Sequence, residues 1–504
     1  MLQEPWKTLK SGTDIRGVAL EGVAGQSVDL TDEIIEKIAS SFALWLQEKT
    51  GKKNPLVAIG RDSRLSGPHI AKILESVLVK KGFEILITGL SSTPAMFMTT
   101  IDLKTDAAIQ ITASHHPWNR NGLKFFLPTG GLEGSDIKEI LLLCQEGKFA
   151  PDAEGGSSKE VNYMDTYAER LKKIISDGVG GGEKPLAGFH ACVDAGNGAG
   201  GFYVEKVLKP LGADTTGSQF LDPDGSFPNH IPNPENKVAM EFACRAVKES
   251  GADLGIIFDT DVDRAGCVDA SGREINRNRL VALSSVIALQ GNEGGAIVTD
   301  SITSSGLKTF IEKDLGGQHM RFKRGYKNVI NKAIEMNKAG INTPLAIETS
   351  GHAALRENFF LDDGAYLATR ILIEAAKMKK EGRNLTELIA NLEEPFESFE
   401  LRFDITEKDF RPVGEKLLSD LENYGKKMGW QVADDSFEGV RISFPAGEGD
   451  GWFLIRLSVH DPVMPMNVES AVEGGAKVIA AKLYDFLKDG NYAVCIDPLK
   501  EFLA

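Results

Sequence analysis

Leu56-Val57-Ala58-Ile59, then Gly67 to Lys81, then Glu84-Ile85-Leu86-Ile87-Thr88, then Ala107-Ala108-Ile109-Gln110-Ile111: this stretch decides the fold. The first, third and fourth segments are short apolar runs with strand character, and the second has the spacing of a helix. Strands alternating with helices imply α/β units with a mostly parallel sheet. Upstream, Thr31 to Lys49 reads as a helix capped by Thr31, with Ile34, Ile38, Phe42 and Trp45 on one face. Downstream the pattern restarts twice. His190-Ala191-Cys192-Val193 and Leu254 to Phe258 bracket a second α/β block, and Ala296-Ile297-Val298 and Leu345-Ala346-Ile347 bracket a third. The glycine-rich stretch Gly178 to Gly182 reads as a surface loop after a helix from Tyr163 to Ile175. Beyond about residue 390, Glu400 to Thr406, Gly439 to Phe444 and Gly451 to Ser458 read as strands of a smaller α+β unit. The expectation is four domains, 1–160, 161–275, 276–390 and 391–504.

With 504 residues, 42% hydrophobic and 26% charged, the chain has the composition of a folded globular protein. Its net charge of −15 argues against nucleic acid or an anionic membrane as partner. A small anionic substrate remains compatible, because a local cluster of Arg and Lys overrides the global field. The five cysteines are scattered with no CxxC, which favours a reducing compartment and offers no cysteine zinc site. No apolar run approaches membrane-spanning length, and the N-terminus lacks a basic region followed by an apolar core. The expected location is cytoplasmic.

In open α/β sheets ligands bind beyond the carboxyl ends of strands, and four strand ends carry unusual polar clusters. After Ile111 comes Thr112-Ala113-Ser114-His115-His116-Pro117. Ser114 is a candidate nucleophile or phosphoryl carrier, without the GxSxG elbow of a hydrolase; the alternative is a polar turn. Lys124, opening the next apolar run, could supply charge or shuttle a proton. After Phe258 comes Asp259-Thr260-Asp261-Val262-Asp263-Arg264, three carboxylates at alternate positions. They repel one another unless a cation sits among them, and oxygen-only ligands favour Mg²⁺ or Ca²⁺. The EF-hand pattern fails, since Arg264 and Ala270 stand where it needs Gly and Glu; free coordination positions suit Mg²⁺ bridging to a phosphate. After Ile347 comes Glu348-Thr349-Ser350-Gly351-His352, a mix of donors and acceptors suited to sugar hydroxyls or to a plain turn. The last is Arg456-Leu457-Ser458-Val459-His460-Asp461-Pro462, whose Arg456 fork suits a phosphate, with Ser458 and His460 as further donors. Gly196-Asn197-Gly198-Ala199-Gly200-Gly201 formally matches a dinucleotide fingerprint, the one feature favouring an oxidoreductase. Tight helix–sheet packing is the simpler reading.

In this order the loops resemble those of the α-D-phosphohexomutase family over nearly the whole chain. Gly12-Thr13-Asp14-Ile15-Arg16-Gly17 resembles the family's N-terminal substrate-arginine segment, and Gly60-Arg61-Asp62-Ser63-Arg64-Leu65-Ser66 the next signature. Phe227-Pro228-Asn229-His230 and Asp362-Asp363-Gly364 are further family-like landmarks. The resemblance implies three similar mixed α/β domains plus a smaller C-terminal α+β domain around a central cleft. It implies that Ser114 carries the phosphoryl group, and that Ser114, Asp259, Asp261 and Asp263 hold Mg²⁺. Lys124 then acts as general acid/base, with His115, Arg264 and Arg16 completing the catalytic set. Glu348, Ser350 and His352 would bind the sugar, and Arg456, Ser458 and His460 the distal phosphate. Lys323, Arg324 and Tyr326 lie in a segment similar to the loop that distinguishes two substrate orientations. The implied activity converts hexose 1-phosphate to hexose 6-phosphate through phosphoserine and a hexose 1,6-bisphosphate, which also serves as activator. Phosphoglucomutase/phosphomannomutase activity is the expectation; phosphoglucosamine mutase, or a weakly active phosphosugar-binding member, is the alternative. A small phosphosugar is the implied partner, and the chain would be a monomer or homodimer. Three positions depart from the family pattern: His116, Thr349 and the run Val459-His460-Asp461, which lacks the usual small polar donors.

Overall fold

Thr31 starts the first long helix, Asp32–Thr50, by accepting a hydrogen bond from the Ile34 amide at 3.4 Å. Gly51, at φ +70°, ends it by donating to the Gln47 carbonyl. Its inner stripe is Ile35, Ile38, Phe42 and Trp45, so Ile35 takes the buried place expected for Ile34. The computed structural model describes residues 1–458 and 461–504. They form two compact units: Met1–Asn276 with Ser350–Ala354 and Leu361–Glu387, and Arg277–Thr349 with Leu355–Phe360 and Leu388–Ala504.

The first unit holds two sheets. In the larger, Leu56–Arg61 lies between Glu84–Leu90 and Ala107–Ile111, parallel to both. Arg120–Leu127 then pairs antiparallel with Ala107–Ile111, and Asp14–Val18 antiparallel with it. The central strand Ala107–Ile111 is buried at every residue, which is why it reads as a continuous apolar run rather than an alternation. Helices Asp32–Thr50, Gly67–Lys80 and Gly134–Gln145 share one core with this sheet. In the smaller sheet Leu254–Phe258 runs parallel to Ala191–Asp194 and antiparallel to Ala265–Asp269. The turn joining Leu254–Phe258 to its antiparallel neighbour is therefore the aspartate segment, placed at a strand end.

Helix Gly364–Lys380 also belongs to the first unit, against helix Tyr163–Val179. The Tyr167 hydroxyl donates to Asp363 at 2.6 Å, and Tyr203 bonds Thr369 at 2.8 Å. The helix expected to stop at Ile175 runs to Val179, so Gly178 is helical; a Cβ there would stand 2.8 Å from Ile373.

In the second unit Ala296–Asp300 is flanked in parallel by Gln318–Phe322 and Leu345–Ile347. A separate antiparallel sheet has the order Glu397–Asp404, Val463–Ser470, Gly451–Ile455, Val440–Phe444 and Gln431–Val432. One face packs Ile442, Phe453 and Met466 against helices Phe410–Lys427 and Gly475–Asp489. The other carries Arg441, whose guanidinium lies 3.5 Å from the Trp452 ring centroid and donates to the Ser301 carbonyl. Glu469 is buried on the same face and accepts from Trp452 Nε1 at 3.0 Å. Burial pushes its carboxyl up to about 7, against the pull of Arg441. An acid whose pKa is raised by folding binds more protons when native, so stability falls as pH rises from the unfolded value to about 7. Glu469→Gln is expected to remove about 3 kcal/mol of that pH dependence, read as melting temperatures of both proteins at pH 5 and pH 8.

Candidate functional site

Ser114 occupies the left-handed region at φ +49°, held there by its surroundings. Its amide donates to Thr112 Oγ1 at 2.9 Å, and Thr112 Oγ1 donates to Asp62 at 2.7 Å. Asp62 pairs with Arg64, a fully buried arginine whose guanidinium donates to four carbonyls of the same loop. Nη1 bonds Pro117 and Arg120 at 2.7 and 2.8 Å, and Nη2 bonds Ser114 and His116 at 2.5 and 2.6 Å. The loop thus takes its shape from backbone contacts and leaves the Ser114 hydroxyl for other partners.

Two of those partners come from the aspartate turn and one from the serine loop itself. Ser114 Oγ lies 3.2 Å from Asp259 Oδ2, 3.3 Å from Arg264 Nη2 and 3.2 Å from His115 Nδ1. Val262, buried and β-branched, sits at φ +65°, a strained conformation that turns the chain tightly enough to converge its neighbours. Asp259, Asp261 and Asp263 each offer a carboxylate oxygen within 4.8 Å of the others, all three buried. Lys124 stands against Asp261 at 3.2 Å and also pairs with Asp263, a protein-borne cation among the carboxylates. Asp261 also accepts from Thr93, through the Thr93 hydroxyl to its side chain and the Thr93 amide to its carbonyl.

The charges respond to this crowding. Burial and the facing Asp263 and Asp261 push Asp259 well above the carboxylate range. Asp263, equally buried, is nonetheless held below it by Lys124, His352 and Arg264. His115 is pushed down to about 2 by burial and by Arg264, so it is neutral, and Nδ1 accepts from Arg264 Nη2 at 2.6 Å. His352 is half-buried, yet Asp362 at 2.5 Å and Asp263 hold its pKa up. A divalent ion fits the trio. Asp261 Oδ1 and Asp263 Oδ1 are buried with no hydrogen-bond partner among the described residues, and the donor set is all oxygen.

Three family models match the chain. Phosphoglucomutase/phosphomannomutase alpha/beta/alpha domain I covers residues 8–150, domain II 165–272 and domain III 276–396. A phosphomannomutase/phosphoglucomutase of Pseudomonas syringae pv. tomato is 30% identical, over 92% of this chain and 94% of its own length. The chain belongs to the phosphoglucomutase/phosphomannomutase family. A phosphoglucomutase/phosphomannomutase of Thermococcus kodakarensis is likewise 30% identical over 92% of the chain and 94% of its length. Among solved structures, a phosphoglucomutase/phosphomannomutase family protein from Burkholderia thailandensis has a TM-score of 0.79 at 26% identity. The match covers 98% of this chain and all of that one. The fold of this phosphohexomutase is accordingly three α/β domains and a further C-terminal domain.

The first unit of this phosphohexomutase brings together Ser114, His115, Lys124, Asp259, Asp261, Asp263, Arg264 and His352. Arg16 pairs with Asp14 at 2.7 Å and is close enough to help depress the His115 pKa. Ser350 is buried in the same unit. The second unit holds a separate basic group. Arg324 lies 3.5 Å from Asp300, its amide donates to Glu438, and Glu348 accepts from the Gly325 amide at 2.6 Å. Arg456, which follows strand Gly451–Ile455, is drawn below its usual pKa by burial and by Arg324. Lys323 is exposed, Tyr326 half-buried, and the Ser458 hydroxyl accepts from the Asp461 amide at 3.3 Å. His460 lies outside the described residues. Sequence reasoning gave no role to Arg64, Thr93, Asn233 or Glu235, because only the fold brings them to the site.

Packing accounts for the glycine run. A Cβ at Gly198 would stand 2.6 Å from the Thr260 carbonyl oxygen, and one at Gly201 would stand 2.2 Å from that of Leu221. The run therefore lets the chain press against the aspartate turn. Among the described residues no helix is long and apolar enough to cross a membrane.

Proposed function

We propose that the chain is a phosphosugar mutase interconverting hexose 1-phosphate and hexose 6-phosphate through phosphorylated Ser114 and a hexose 1,6-bisphosphate. Glucose and mannose phosphates are its substrates. The observation that carries this reading is the Ser114 hydroxyl standing 3.2 Å from Asp259 and 3.3 Å from Arg264, beside two carboxylate oxygens that accept no hydrogen bond from the described residues. The names of relatives at 30% identity across most of the chain support it. The working form is a cytoplasmic monomer or homodimer with domains at 1–160, 161–275, 276–390 and 391–504.

Mg²⁺, held by Asp259, Asp261, Asp263 and the Ser114 oxygen, supplies charge neutralisation when bound. In the first half-reaction the bond from phosphorus to Ser114 Oγ breaks, and one forms to the free hydroxyl of the hexose monophosphate. Lys124, a cation in its pairs with Asp261 and Asp263, gives its own proton to solvent once those carboxylates are engaged by the ion, and its Nζ then takes the hydroxyl proton. Arg264 Nη2 faces the Ser114 oxygen and stabilises the charge that gathers there as it leaves. The bisphosphate then turns over and returns its other phosphoryl group to Ser114, while Lys124 gives the proton to the released hydroxyl. Added hexose 1,6-bisphosphate activates by phosphorylating Ser114. His115, as a neutral acceptor, orients Arg264, and Arg16 adds positive charge for the substrate. Glu348, Ser350 and His352 bind the sugar. Arg456, Ser458 and His460 bind the phosphate that is not reacting, and Lys323, Arg324 and Tyr326 serve its two orientations.

The test is a coupled assay with Mg²⁺ and a trace of glucose 1,6-bisphosphate, using the 1-phosphates of glucose, mannose, glucosamine and N-acetylglucosamine. Turnover of the glucose and mannose compounds, abolished by EDTA, is expected. Turnover of glucosamine 1-phosphate alone would reassign the sugar, and no turnover of any would overturn the mutase reading.

A further inference from the structure

Arg264 is buried with three sides engaged. Its amide and Nε reach Asp259 at 3.2 and 3.3 Å, and Nη2 faces Ser114 Oγ and His115. The third side is Nη1, which donates to Asn233 Oδ1 at 3.1 Å and lies 3.7 Å from Glu235 Oε2. Asp259 also accepts from Ser114 Oγ, so it cannot by itself fix the guanidinium plane. We propose that Asn233 and Glu235 are positioning residues that set this plane, and so hold Nη2 on the Ser114 oxygen. The proposal rests on the mutase reading and deepens it, since Arg264 matters to turnover only if Ser114 carries the phosphoryl group.

The segment bearing both residues is shaped for the task. Phe227 sits at φ +50°, and its ring covers the guanidinium of Arg64 at 5.2 Å. A Cβ at Gly225 would stand 2.5 Å from both the Leu65 amide nitrogen and the Ser63 carbonyl oxygen, so the two segments touch backbone to backbone. His230 is anchored by Asp194 at 3.0 Å, and Asn229 by Asn197 at 2.8 Å. Asn233 Oδ1 also accepts from the Glu235 amide, and Asn236 caps helix Lys237–Ser250. One end of the segment thus leans on the arginine that shapes the serine loop. The other end grips the arginine that faces the serine oxygen. A planar fork held on all edges has little freedom to tilt, and small tilts at a reacting oxygen are costly.

The test is a double-mutant cycle on the full chain, read as kcat and KM for glucose 1-phosphate. Asn233→Ala is expected to lower kcat about tenfold with KM within about twofold, and Asn233→Asp, which keeps the acceptor, to restore most of it. In an Arg264→Ala background the same Asn233→Ala change is expected to cost less than about twofold, because the residue it acts through is gone. An equal tenfold loss in that background, or an unchanged kcat in the single variant, overturns the proposal. Should Asn233→Ala fail to fold, Glu235→Gln carries the same cycle, since its side chain is about a third exposed. A wild-type chain with no turnover overturns the mutase reading first, and is distinguished by that control.

Discussion

Ser114→Ala is expected to lower kcat by about four orders of magnitude or more, the loss that follows removal of a covalent carrier. The fold should survive. Alanine tolerates φ +49° about as well as serine, and the loop is held by the four carbonyl contacts of Arg64 and the Thr112 hydroxyl rather than by Ser114 Oγ. What the variant loses is one hydroxyl shared among Asp259, Arg264 and His115. Losing it is expected to shift stability by about 1 kcal/mol, measured by urea denaturation. A large fall in stability together with the fall in kcat would mean that the hydroxyl is structural.

The second large effect concerns the metal. Asp261→Asn keeps the shape of the side chain and removes one of three carboxyl groups packed within 4.8 Å. Turnover is expected to fall by about 10²- to 10³-fold, with a higher Mg²⁺ requirement. Stability should move the other way. Without the ion the cationic groups facing the trio are Lys124, Arg264 and His352, and Asp259 is pushed well above its usual range. Deleting one repelling charge should therefore leave the metal-free variant melting at or above the wild type. Added Mg²⁺ should raise the melting temperature of the wild type and have little effect on the variant, because an ion that binds only the native state stabilises by its affinity. Equal Mg²⁺-induced shifts in both proteins would remove Asp261 from the metal site.

The parallel strands were readable because burial on both faces writes itself as continuous apolar runs, as in Ala107–Ile111. The aspartate turn was readable because three alternate carboxylates beside a buried strand repel one another unless a cation joins them. What escaped depends on chain distance. Thr93 meets Asp261 across 168 residues and Lys124 meets Asp263 across 139, and nothing local in either segment announces the other. Arg64 Nη1 and Nη2 donate to four carbonyls, which every residue has, so no pattern in those residues' side chains could reveal the contacts. Helix Gly364–Lys380 follows the third block in sequence, yet Tyr167 and Tyr203 bond it within the first unit. Helical periodicity tells which face of a helix is buried, not which sheet buries it. Val262 at φ +65° runs against its own β-branched preference, a cost borne to converge the carboxylates.

The most direct measurement is label transfer in a single turnover. The chain is treated with glucose 1,6-bisphosphate carrying radioactive phosphate, freed of excess ligand, and digested. Label on the peptide containing Ser114, chased into hexose monophosphate when unlabelled glucose 1-phosphate and Mg²⁺ are added, is the predicted result. Label on any other residue, or label on Ser114 that the sugar phosphate cannot remove, would contradict the account.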